Sequence, residues 1–160
     1  MGNMIPFIWK RYAILMMEQE RLLKTAFLVG AITDAMAVLP MLVPELARLL
    51  WGFDDQSHAY RFAMGYAASL MLGWTGLLLW AYRRPIERRF VAALTVFVIY
   101  GLALTEAVAV LSGRLAVWRM VPTWCLQIAL LCLFAGAYHY DDIRAFMSIR
   151  PEHCKKDDLI

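Results

Sequence analysis

Four apolar runs of about twenty residues each dominate the chain and restrict its fold before any other feature is considered. They cover about 25–51, 62–80, 90–111 and 122–140. A helix rises ~1.5 Å per residue, so ~20 residues cross the ~30 Å hydrocarbon core of a bilayer. A membrane β-strand instead alternates apolar and polar residues over ~10 positions, and these runs do not alternate. The expected fold is an all-α membrane protein, a four-transmembrane-helix antiparallel bundle with an N-terminal interfacial helix at 1–24 and a cytoplasmic tail at 141–160. Composition agrees, with 62% hydrophobic and 18% charged residues against about 25% charged in soluble domains.

The sixteen Lys and Arg residues divide unevenly between the two ends of these runs. One side holds Lys10, Arg11, Arg21, Lys24, Arg83, Arg84, Arg88, Arg89, Arg144, Arg150, Lys155 and Lys156; the other holds Arg48, Arg61, Arg114 and Arg119. The basic side faces the cytoplasm in multi-pass proteins. The expectation is therefore an inner, cytoplasmic membrane with both termini cytoplasmic. The net charge of +3 reads as a topology signal, and nucleic acid is not an expected partner. Trp51, Phe53, Tyr60, Trp118 and Trp124 mark one interface, and Trp9, Tyr12, Trp80, Tyr82, Tyr138 and Tyr140 the other. Residues 1–24 lack a cleavage site for a signal peptide. Their mixture of Met, Ile and Trp with Lys10, Arg11, Glu18 and Glu20 suits an interfacial anchor or a helix that docks a partner.

Two carboxylates lie inside the runs, Asp34 in the first and Glu106 in the third. A charge in hydrocarbon costs ~2.5 kcal/mol or more unless it is paired, protonated or turned to a wet cavity. Gly30, Asp34, Met41, Glu45 and Arg48 share one stripe of the first helix at ~100° per residue. Glu45 and Arg48 are three apart and spaced to pair. Pro40 and Pro44 each remove a backbone donor, so a kink and unpartnered carbonyls are expected there. Glu106, Gln127 and Ser69 fall at similar depth, and Thr75 is the polar residue nearest Asp34 in depth. Asp34 and Glu106, ~10 Å apart in depth, can line one cavity. Gly65, Ser69, Gly73 and Gly76 permit close helix approach, either within the bundle or between copies in a homo-oligomer.

Three cysteines, two of them within a run, argue for reduced thiols, with Cys125 and Cys132 as small packing residues. Asp54, Asp55 and His58, and likewise His139, Asp141 and Asp142, read as solvated loops and not metal sites. No catalytic or phosphate-cradling motif occurs, and no cofactor is expected.

The stretch GYAASLMLGWTGLLLWAYRRPIERR resembles that of small prokaryotic four-helix membrane proteins, a likeness that implies the fold and brings no activity. Asp34-Ala-Met-Ala-Val-Leu-Pro40 is similar to the first-helix motif of the EXPERA-type group of sterol isomerases and the sigma-2 receptor. That likeness implies a four-helix bundle whose acidic residues face a cavity for a sterol or lipophilic amine. The acid which that group carries on its second helix has no counterpart in 62–80. The functional expectation is a small membrane protein that binds a lipophilic or cationic ligand, or serves as accessory subunit of a larger membrane complex, around Asp34 and Glu106. The alternatives are a proton- or cation-coupled transporter and an EXPERA-like isomerase.

Overall fold

The computed structural model of the protein describes residues 4–53 and 57–140, with side chains from residue 16 onward. The expected cytoplasmic tail at 141–160, Cys154 and the acidic pair Asp54–Asp55 lie outside the described residues.

Five helices make up the described chain: α1 (Met4–Leu42), α2 (Pro44–Trp51), α3 (His58–Tyr82), α4 (Phe90–Leu111) and α5 (Val117–Tyr138). Four of them are long and apolar enough to cross a membrane. They form an antiparallel four-helix transmembrane bundle, with short connections between successive spans.

The first expected span, 25–51, and the interfacial helix before it are divided differently from expectation. The backbone is helical on both sides of residue 24, so α1 is one helix of 39 residues. At ~1.5 Å per residue it is ~58 Å long, about twice the hydrocarbon thickness. The break falls instead at Val43, which is extended (φ −109°, ψ 103°). Pro44 explains it. The residue before a proline is pushed out of the helical region, and Pro44 then opens α2 at a position where its missing N–H costs nothing. The second span starts four residues before its expected start, because Ser57 accepts a hydrogen bond from the Tyr60 N–H (3.2 Å) and caps α3. The fourth span starts at Val117, with Pro122 inside it.

Gly52 ends α2 in the left-handed conformation (φ +76°), its N–H bonded to the Arg48 carbonyl at 3.0 Å. The Arg119 guanidinium of α5 reaches the same carbonyl at 3.2 Å. A Cβ at Gly52 would run into that guanidinium, so both the turn and the close approach require glycine here.

α1 lies between α3 and α5, α4 packs on α5, and α3 touches α4 only sparsely. The interior belongs mainly to α1 and α5, whose apolar windows are 33% and 28% buried against 11% for each of α3 and α4. The core gathers at the end that carries the α3–α4 turn. Leu23, Phe27, Leu78, Val91 and Phe134 are all fully buried there. The Phe27 and Phe134 rings sit 6.1 Å apart. Gly30 permits this closeness, since a Cβ on it would lie 2.7 Å from Phe134 Cζ and 3.2 Å from Leu78 Cδ1. At the same end, Arg88 lies over the Trp80 ring (3.5 Å) and donates to the Trp80 carbonyl, while Tyr140 donates to Glu18. Cys125 and Cys132 are exposed and do not fill the core, because they fall on the outer face of α5.

Candidate functional site

Asp34 is half-buried and faces inward, where all four spanning helices meet. It lines a cavity of about 30 Å³ with Met71 and Trp74 of α3, Thr95 and Leu102 of α4, and Phe134 of α5. A site of that volume holds about one or two waters. Asp34 sits one turn beyond Gly30 on α1, so the small residue that admits Phe134 also opens the floor of the cavity. Among the described residues no side chain hydrogen-bonds or pairs with the Asp34 carboxylate. The buried Trp74 indole N–H on the same wall also lacks a hydrogen-bond partner. The Thr95 hydroxyl is spent on the Val91 carbonyl at 2.8 Å. The cavity therefore combines a carboxylate, an unpartnered donor and space for water within an apolar surround.

Glu106 is a separate site. Gln127 Nε2 donates to Glu106 Oε1 at 3.0 Å, joining α4 to α5 at the depth where the sequence places both residues. The Trp124 indole lies beside the same carboxylate. Glu106 Oε2 and Gln127 Oε1 are buried without hydrogen-bond partners, which leaves two acceptors for a donor from outside this pair. Glu106 is not on the wall of the Asp34 cavity, although Leu102, one turn away on α4, is.

Ser69 and Thr75 do not join either carboxylate. Ser69 is exposed and donates to the Tyr66 carbonyl at 2.8 Å, and Thr75 donates to the Met71 carbonyl at 3.0 Å. A hydroxyl in an apolar medium is satisfied most cheaply by a carbonyl three or four residues earlier on its own helix. Trp74, adjacent to Thr75, takes the position near Asp34 instead. A tryptophan in the middle of the run LMLGWTGLLL, far from either aromatic belt, was the available signal for it.

Gly65, Gly73 and Gly76 are not packing seams within the chain. Among the described residues, a Cβ on any of them would meet no atom within 4 Å. Glu45 forms no salt bridge with Arg48. It borders a second, larger cavity of about 350 Å³ where α1, α2 and α3 meet. Pro40 is buried and Pro44 half-buried on the two sides of the break.

No family model, curated protein or solved structure matches the chain. Its functional reading rests on this geometry.

Proposed function

We propose that this chain is a non-catalytic membrane protein that binds a lipophilic cation, with the ligand's charged end at Asp34. The supporting observation is a half-buried carboxylate in mid-span that has no partner among the described residues. An acid kept only to fasten the bundle has a donor beside it, as Glu106 has in Gln127. Asp34 has an empty space of about 30 Å³ instead. That volume admits an ammonium group or its water and excludes a whole drug-sized ligand, for which pockets of ~300–1,000 Å³ are usual. The apolar part of the ligand lies outside, in the seam where α3 and α4 touch sparsely. The isomerase alternative needs a second acid at the cavity, and among the described residues its walls carry only Asp34. The membrane is the inner, cytoplasmic one, with both termini on the basic, cytoplasmic side.

A second reading, an accessory subunit or homo-oligomer, draws on the small-residue row of α3. Glycine is costly in a helix, and Gly65, Gly73 and Gly76 gain nothing for it inside this chain. A neighbouring helix gives them a use.

The deciding experiment places the full-length protein in nanodiscs and titrates a lipophilic tertiary amine against its neutral carbon isostere. Asp34→Asn lowers amine affinity about tenfold or more, the ~1.4 kcal/mol scale of one lost charge contact, and leaves the neutral analogue unchanged. Equal amine affinity in both proteins removes the proposal. A cation flux in liposomes that depends on Asp34 shifts the assignment to transport.

A further inference from the structure

The walls of the Asp34 cavity hold a second polar group that an ammonium alone does not satisfy. α1 and α3 run antiparallel and pack closely on each other. Gly30 of α1 and Leu78 of α3 face each other across this contact. Asp34 is one turn further along α1, and Trp74 is one turn back along α3. The same register therefore sets Trp74 opposite Asp34. Both border the cavity of about 30 Å³. The Trp74 indole Nε1 is buried and has no hydrogen-bond partner.

Tryptophan in a membrane protein settles at headgroup level, where its N–H finds an acceptor. Trp74 stands instead inside the span His58–Tyr82. No side chain among the described residues, Asp34 included, accepts from its N–H. The nearby hydroxyls are engaged elsewhere, Thr75 on the Met71 carbonyl at 3.0 Å and Thr95 on the Val91 carbonyl at 2.8 Å. A buried donor without an acceptor is a standing cost to the fold. The cavity thus presents a charged acceptor on one wall and a neutral donor on another, across room for one or two water-sized groups. Water answers both. A ligand that displaces this water loses affinity unless it reproduces both contacts. A plain ammonium carries donors only, so it answers Asp34 and strands Trp74.

Resting on the amine reading of Asp34, we infer that the ligand is a lipophilic amine with an oxygen acceptor two carbons from its nitrogen, an amino ether or amino alcohol, and that Trp74 selects for that oxygen. The spacing follows from the size of the cavity. Two hydrogen-bonded oxygens stand ~2.8 Å apart. A nitrogen and an oxygen joined through two carbons in the gauche form span about the same distance. The ammonium donates to Asp34, the oxygen accepts from Trp74, and the alkyl part leaves through the sparsely packed seam of α3 and α4.

The test uses full-length protein in nanodiscs and two probes that differ at one position. One is a lipophilic tertiary amine, and the other is the same molecule with its third chain methylene replaced by an ether oxygen. Their unequal partition into lipid cancels when the ratio of their affinities is compared between proteins. Wild type favours the ether amine by about fivefold more than Trp74→Phe does, the fold-change of one net hydrogen bond. The carbon amine binds Trp74→Phe at least as tightly as wild type, since no donor is stranded there. In wild type, one of the six tryptophan indole N–H signals moves downfield in the nitrogen–proton spectrum with the ether amine, and none does with the carbon amine. An equal ratio in wild type and Trp74→Phe overturns the assignment and leaves the amine reading standing. Loss of both amines by a folded Trp74→Phe also overturns it, by making the ring and not its N–H the contact. Where Trp74→Phe does not fold, the wild-type spectrum decides, and the absence of an indole signal that answers to the ether oxygen overturns the assignment. Equal affinity of the amines for wild type and Asp34→Asn overturns both readings.

Discussion

The two ends of the bundle are built on different terms. At the end carrying the α3–α4 turn, Leu23, Phe27, Leu78, Val91 and Phe134 pack without residual exposure, and Gly30 lets the helices close. At the α2 end the buried set shrinks to small or single residues such as Ala47, Ala68 and Met120, and a cavity of about 350 Å³ opens. The polar groups follow the same division. Glu106, Gln127 and Glu45 lie toward the α2 end, and Asp34 lies where tight packing gives way. Lipid is as apolar as leucine, so the tight end is held by shape and dispersion and not by the hydrophobic effect. The loose end is held by specific polar contacts, such as Arg119 on the Arg48 carbonyl. A fold assembled this way gathers its tightest packing at one end of the bundle.

The comparison breaks most visibly at Phe134. Phe134→Ala removes a fully buried ring from the tight end and lowers stability by about 3 kcal/mol in SDS-titrated unfolding, with the cavity term dominant. A loss under 1 kcal/mol would mean that this end is not the anchor. The loose end gives a smaller response. Gln127→Leu strands the Glu106 carboxylate and costs about 1 kcal/mol, toward the low end for an unsatisfied buried group. The double variant Glu106→Leu/Gln127→Leu returns close to wild type, because the burden is the unpaired acid and not the missing contact. Failure of the double variant to recover indicates that the pair is itself a support of the fold. The smallest effect belongs to α3. Gly73→Leu changes unfolding by less than ~0.5 kcal/mol, since no atom of the described residues lies within 4 Å of a Cβ there. It also reduces the cross-linked dimer fraction if the outward row meets a second copy, and an unchanged fraction removes that reading.

Much of the architecture was legible because hydropathy and length are enough to place helices in a bilayer. Phe90–Leu111 matches its expected span at both ends. The bend near Pro40 and Pro44 was also legible, since an absent N–H is a property of the residue itself. The continuity of α1 through residue 24 was not, because a change from charged to apolar composition marks a change of solvent and leaves the backbone free to stay helical. The Glu106–Gln127 pair followed from counting rise along α4 and α5. Depth alone failed for Ser69 and Thr75. It fixes height and says nothing of azimuth, nor of the preference of a hydroxyl for its own helix. The role of Trp74 was hidden by its apolar character. The larger cavity was hidden because it joins residues from two sides of a break, Met41 and Glu45, to a third helix, and no periodicity connects them.

The uninterrupted course of α1 carries a mechanical consequence. From Met4 to Leu42 the backbone stays helical, with Pro40 inside it, and its first break is Val43, beyond Asp34. No break in the backbone separates the basic end from the carboxylate. A helix that turns by one residue's worth swings its side chains through ~100°. Asp34 is thus joined to the basic end by unbroken helix, whereas α2 lies on the far side of the break at Val43.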